Sequence, residues 1–255
     1  MRINQLLVNK GFTLIELLIT LAISGIIMTG VYSAFKSQQD SYLAQEQVAE
    51  MQQNIRAGLD IMEREIRMAG FDPTTEAGAG ITTATAGRFG FTQDVNADND
   101  GIDNDGDGAT DETDGSEDVP NGKLGDSNES ITFGFSAAND AGLDGVVDDL
   151  DGDGNLNDVA PLGREVSAGG GFQPVAENIQ AIEFSYLDED GTITATLADI
   201  RSVQISILAR ARRPDRQYTD TNTYITSSGT NWGPFNDSYR RRFQTMTVKC
   251  RNMGL

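Results

Sequence analysis

Residues 12–35 form a run of 24 in which Glu16 is the one charged side chain. About 20 apolar residues let a helix cross a hydrocarbon core, so this run predicts a membrane-spanning helix. Beyond it the pattern turns periodic. Val48, Met51, Ile55, Leu59, Met62, Ile66 and Ala69 recur at steps of three and four, the spacing of one helix face. Asp60 with Arg64, and Glu63 with Arg67, stand four apart with the acid first, the order that favours pairing. Gly70, followed by Phe71 and Pro73, is a stop signal. The expectation is a helix over about residues 12–69, with 12–35 membrane-spanning and 36–69 amphipathic. The stripe covers too few heptads for a coiled-coil seam, so it predicts a helix face buried against a head at 70–255.

In the head the period changes to two. Ile131, Phe133 and Phe135 alternate with Thr132 and Gly134; Ile182, Phe184 and Tyr186 alternate with Glu183 and Ser185. Residues 188–191 read as a turn into 192–196, which predicts a hairpin. Val203, Ile205 and Ile207 alternate with serine and glutamine, and Met246, Val248 and Cys250 with threonine and lysine. Short antiparallel strands after one long helix define an α+β fold: a long helix packed on an antiparallel sheet.

The chain has 255 residues and a formal net charge of −20. Phosphate backbones require a basic footprint, so nucleic acid is not an expected partner. Without histidine the chain has no histidine triad, metal ligand or proton shuttle. One cysteine excludes an internal disulfide or a CxxC zinc site, and Cys250 reads as a small core hydrophobe. No nucleophile with a matching base emerges, so no enzyme activity is expected.

The charge is concentrated. Residues 94–158 hold 20 acids and one base, Lys123. Within them, residues 103–114 follow the twelve-residue calcium-loop spacing, with Asp103, Asp105, Asp107, Asp111 and Asp114 as side-chain ligands and Gly108 at the turn. Position twelve is aspartate and no apolar helix flanks the loop, so it resembles a thrombospondin type 3 repeat more than an EF-hand. Asn96, Asp98 and Asp100 repeat the pattern seven residues earlier. A further copy has Asp149, Asp151, Asp153 and Asn157, with Ala160 at position twelve; Asp144, Asp148 or Asp158 would have to complete it. Hard oxygen donors at this density suit calcium better than magnesium. The expectation is an acidic insertion at 94–158 that calcium orders; the competing reading is a solvated acidic linker.

The segment before the apolar run is polar and carries Arg2 and Lys10, so the positive-inside rule keeps it cytoplasmic and sends the head across the membrane. The small residue Gly11 precedes the apolar run, so cleavage there would leave the anchor attached, unlike a secretory signal. Lys10-Gly11-Phe12-Thr13-Leu14-Ile15-Glu16 resembles the signature of type IV prepilins. The resemblance implies a leader at 1–11, cleavage by prepilin peptidase between Gly11 and Phe12, N-methylation of Phe12, and pairing of Glu16 with the terminal amine of a neighbouring subunit. A carboxylate in a membrane helix is costly unless it finds a partner, which agrees with that role. Major pilins often have a proline near the end of this helix; here Ser33 stands in that region, and residues 12–72 contain no proline.

Residues 181–211, and then Tyr239 to Phe243, Thr247-Val248 and Arg251 to Met253, resemble the PilW type of minor pilins, relatives of the J-type pseudopilins of type II secretion. The resemblance implies priming of pilus assembly at the tip, with other pilins and the assembly machinery as partners. It also implies an inner-membrane location before assembly and a pilus or cell-surface location after it. A pseudopilin serving secretion, or a calcium-dependent tip adhesin, are the alternatives. Two arginine clusters, at 210, 212, 213 and 216 and at 240–242, read either as a binding patch for an anionic glycan or neighbouring pilins, or as charges balancing local acids.

Overall fold

The computed structural model describes residues 12–95, 124, 129–166 and 171–254. The chain divides into two units, Met1–Glu46 and Gln47–Leu255. Helix α1 (Leu14–Ile66) is continuous through Gly25 and Gly30, as expected of a run without proline. In the first unit the large apolar side chains between residues 14 and 35 are exposed, Leu14 at 78% and Ile26 at 75%. By length and composition α1 is able to cross a membrane. The helix ends at Ile66 rather than near residue 69; the next residues close a tighter turn, with Ala69 N–H on the Ile66 carbonyl, before Gly70 takes a left-handed φ of 75°.

The second unit is an antiparallel sheet with the end of α1 packed on one face. Its strands are β1 (Ile81–Ala84), β2 (Arg88–Thr92), β3 (Ser130–Gly134), β4 (Ala160–Val166), β5 (Gln173–Leu187), β6 (Ser202–Arg210) and β9 (Arg241–Lys249), paired in the order β1-β2-β3-β4-β5-β6-β9. A separate two-stranded hairpin joins β7 (Tyr224–Ile225) to β8 (Asn231–Trp232). The stripe read from the sequence is the buried face: Met51, Ile55, Leu59, Met62, Ile66 and Ala69 enter one core with Phe89, Phe91, Ile131, Phe133, Ile182 and Phe184, and Val48 packs at its border. Each buried Leu, Ile, Met or Phe side chain contributes about 1.5–3 kcal/mol. Arg164 of β4 grips Glu65 of α1 through its Nε at 2.9 and 2.8 Å. Asp60 and Arg64 meet at 3.2 Å on the exposed face, and Glu63 bonds Arg67.

Two expectations are adjusted. Residues 188–191 do turn, with Asp188 N–H on the Thr192 carbonyl at 2.9 Å, but residues 192–196 add no strand. Past one bridge between Leu187 and Ile193, the chain forms a 3₁₀ turn at Leu197–Asp199 and returns as β6, which pairs with β5 from Ile179↔Ala209 to Leu187↔Ser202. The isoleucine-rich β6 buries more apolar surface there than the threonine-rich 192–196 would. In addition, the acidic stretch 94–158 is interrupted by β3, whose Ile131 and Phe133 are core residues.

From Ile179 to Tyr186, β5 is buried on both faces. Residues 211–240 lie over the outer face. Trp232 packs with Ala181 and Leu208, while Tyr224, Phe235 and Phe243 border this second cluster. Ser228 Oγ donates to Glu183 Oε2 at 2.9 Å, and the Ser206 and Ser227 hydroxyls stand 3.3 Å apart.

Residues 139–148 cross beside β5. Ile182 N–H donates to the Gly145 carbonyl at 2.8 Å and Val147 N–H to the Gln180 carbonyl at 3.1 Å. Gly145 has φ 84°, and a Cβ on it would lie 2.0 Å from the Ile182 carbonyl oxygen. Gly145→Ala should therefore cost about 1–3 kcal/mol from the backbone conformation alone, and more from the clash. Denaturant unfolding reads this loss; a variant as stable as the parent would refute the close approach.

Candidate functional site

The first site is the start of α1. Thr13 precedes the helix, and Glu16 is its third residue. Glu16 N–H donates to Thr13 Oγ1 at 3.3 Å, while Thr13 N–H and Thr13 Oγ1 both donate to Glu16 Oε2 at 2.9 Å. This is a reciprocal capping box, in which side chain and backbone at each end satisfy each other. The T-x-x-E pattern at 13–16 was legible in the sequence, where Glu16 drew attention for its charge and its place in the prepilin-like signature rather than as a cap. Both donors go to Oε2; among the described residues Oε1 accepts no hydrogen bond. One oxygen is thus fixed to its own helix and the other is available to a second cation. Phe12, next to the box, is 89% exposed. Gly11 lies outside the described residues.

The second site is the loop at 149–158. Asp149 Oδ1 accepts N–H bonds from Gly152 at 2.7 Å and Asp153 at 3.1 Å, and its Oδ2 accepts one from Gly154 at 2.8 Å. The Gly154 N–H, with those of Gly152 and Asp153, holds the Asp149 carboxyl below the ordinary aspartate range against the opposing effect of burial. Asp158 Oδ2 accepts from Leu150 at 2.7 Å and Asp151 at 3.1 Å. Carboxylate oxygens of Asp149, Asp151 and Asp158 lie within 4.8 Å of one another. The fold brings Asp149 and Asp151 together and, of the three candidates to complete the loop, places Asp158 as the third carboxylate. Asp153 is outside that cluster and its Oδ1 takes the Asn155 N–H at 2.8 Å. Asn157 faces Arg210, whose Nη1 bonds the Asn157 carbonyl and stands 3.4 Å from its Oδ1. Asp144 and Asp148 are engaged locally, accepting from Val146 N–H at 2.9 Å and Ala141 N–H at 2.8 Å. Asn96, Asp98, Asp100, Asp103, Asp105, Asp107, Asp111 and Asp114 lie outside the described residues.

Three convergent carboxylates with only oxygen donors fit a hard divalent cation. Among the described residues no salt bridge joins this loop to a base. Asp149, Asp151 and Asp158 would hold the ion, with Gly152 and Gly154 in left-handed conformations at φ 77° and 83° letting the backbone turn around them.

The arginine clusters resolve into buried and exposed members. Arg241 has a fully buried side chain. Its Nη1 donates to Asp220 Oδ2 at 3.0 Å, its Nη1 and Nη2 to the two Asp237 oxygens at 2.6 Å each, and its Nε to Gln180 Oε1 at 2.7 Å. Its guanidinium lies 3.9 Å from the Phe235 ring centroid. Asp220, also fully buried, is held by Tyr224 Oη at 3.0 Å and Asn222 Nδ2 at 2.9 Å. Arg240 pairs with Asp215 at 2.8 Å over the Tyr218 ring, and Arg210 stacks on Tyr239 at 4.2 Å. Arg212, Arg213, Arg216 and Arg242 are exposed. Three of the seven, Arg210, Arg240 and Arg241, therefore hold residues 211–240 in place, and the other four face solvent.

Burial pushes the Asp237 carboxyl up. The hydrogen bonds of Arg241 and of Tyr239 N–H, with the charges of Arg241 and Arg210, outweigh that and hold it below the ordinary aspartate value of 3.8. A depressed folded-state value stabilises the fold above the unfolded value and is lost as pH falls through the folded one. Asp237→Asn should therefore flatten the acid limb of the stability curve below about pH 4. Unchanged steepness in acid titrations of the folded protein would count against this role. Burial pushes the Cys250 thiol up to about 12, which leaves it an inert core group.

The comparisons with known proteins agree with both ends of the chain. Residues 170–252 match the family model described as Type IV Pilus-assembly protein W. Residues 7–32 match the prokaryotic N-terminal methylation motif. Of the curated proteins, none is significantly similar to this chain. A solved structure, a type IV-like pilin from Thermus thermophilus, is 13% identical with a TM-score of 0.43, over 80% of this chain and 96% of that one. Over those segments the chain is similar to the PilW family and carries the methylation motif, and the motif opens a helix long and apolar enough to cross a membrane.

Proposed function

We propose that this chain is a minor pilin of a type IV pilus, cut between Gly11 and Phe12 and N-methylated on Phe12. It is held in the inner membrane by residues 12–35 with its head outside, then passed into the filament, where it primes assembly at the tip. The observation that carries this reading is the single acid of the apolar helix, three residues past the cap, with one carboxylate oxygen free for a neighbour's amine. Mass spectrometry of protein recovered from cells should give methylated Phe12 as the first residue. Gly11→Leu should leave the leader in place; a mature-sized protein in that variant would sink the cleavage claim. Deletion of the gene should reduce piliation and spare protein secretion; the reverse would favour a pseudopilin.

Calcium is proposed to order the acidic loops, with Asp149, Asp151 and Asp158 as one site and residues 103–114 as another. Extracellular modules bind calcium at about 10⁻⁴ to 10⁻³ M, and calcium at ten times the Kd stabilises by about 1.4 kcal/mol. Limited proteolysis between residues 96 and 157 should slow in millimolar calcium. Equal cleavage with calcium and with chelator would refute it.

A further inference from the structure

A groove of about 660 Å³ opens on the outer side of the head, between residues 155–157 at the end of the acidic loop and residues 230–237 at and beyond β8. That volume is typical of small-molecule sites, which run about 300–1,000 Å³. Trp232 and Phe235 supply an apolar wall, and Asn155, Asn231 and Asn236 supply carboxamides around it. Trp232 is 7% exposed, yet among the described residues its indole N–H has no hydrogen-bond partner. The donor is not sealed off from solvent, so it can serve something that enters the groove.

Charge decides the class of ligand. Among the described residues no lysine or arginine lines the groove, and the one carboxylate that does, Asp237, is bound through both oxygens by Arg241. The neighbouring loop carries Asp149, Asp151, Asp153 and Asp158, none in a salt bridge among the described residues, and repels anions. Carboxamides both donate and accept, as hydroxyl groups do. We propose that this groove binds an uncharged saccharide, its apolar faces against the Trp232–Phe235 wall and its hydroxyls bonded by the asparagines and the Trp232 N–H. The proposal concerns Gln47–Leu255 alone and does not depend on the pilus reading.

The chain has one tryptophan, so its emission reports on this groove. Full-length protein in a sugar-free detergent is titrated with cellobiose, chitobiose, lactose and maltose to about 10 mM, enough to detect millimolar affinity. At least one should shift the emission saturably. The double variant Asn231→Ala with Asn236→Gly, glycine being free to keep the left-handed φ of 54° at 236, should weaken that binding at least tenfold while leaving the unfolding midpoint close to the parent's. A uronic-acid disaccharide should leave the emission unchanged. The proposal is overturned if none of the four sugars produces a shift, if the shift survives the double substitution, or if the acidic disaccharide or an uncharged tripeptide produces it equally well.

Discussion

Arg241→Ala lowers the stability of the head by about 3–5 kcal/mol, the usual loss when one member of a buried ion pair is removed. The substitution strands Asp220, whose side chain is fully buried, and Asp237, whose side chain is 19% exposed, and it frees Gln180 Oε1. Urea unfolding followed by Trp232 emission checks it, because the tryptophan lies in the segment that the arginine fastens. Arg241→Lys keeps the charge but loses the planar fork, so its loss should fall between parent and alanine variant. Arg242→Ala, next door and exposed, should stay within about 0.5 kcal/mol. If Arg241→Ala stayed within about 1 kcal/mol of the parent, the network would be ornament rather than fastening.

Glu16→Ala should spare membrane insertion and cut incorporation into filaments at least about tenfold. A factor of ten needs only 1.4 kcal/mol, and a charged amine left unpaired among lipid or packed helices costs about 2.5–3.5 kcal/mol on insertion scales. Thr13→Ala separates the two roles of the carboxylate. It removes the cap, worth about 1 kcal/mol, and keeps the charge, so it should reduce incorporation far less. Quantitative immunoblots of sheared filaments against membrane pools measure both variants. Unchanged filament content in Glu16→Ala would count against pairing; equal losses in both would assign Glu16 to capping alone.

The helix was legible because its signals are local. Steps of three and four from Val48 to Ala69 name the face that is buried, and Gly70 marks the end within a few residues. Alternation likewise found β3, β5, β6 and β9. It failed at residues 192–196, because period-two alternation shows that a segment fits a sheet and not which strand it pairs with. Of the 149–158 loop, spacing gave Asp149 and Asp151 and left three candidates to complete it, and the chain's return toward β4 selects Asp158. Trp232 and its groove had no local signal, since their neighbours lie about 50 to 85 residues earlier in the chain.

The sequence by itself determined the apolar run with its lone acid, the helix face, four of the seven strands of the main sheet and the turn of the 149–158 loop, all set by neighbours within a few residues. Tertiary structure decided which charges are spent. Arg240, Arg241 and Arg242 look alike in the chain, yet Arg240 is salt-bridged to Asp215, Arg241 is sealed between two aspartates, and Arg242 faces water. The reason is that residues 211–240 fold back over the outer face of β5 and β6. That excursion removes water from a sheet face that alternation had marked as polar, and a polar side chain there must find its partner within the protein.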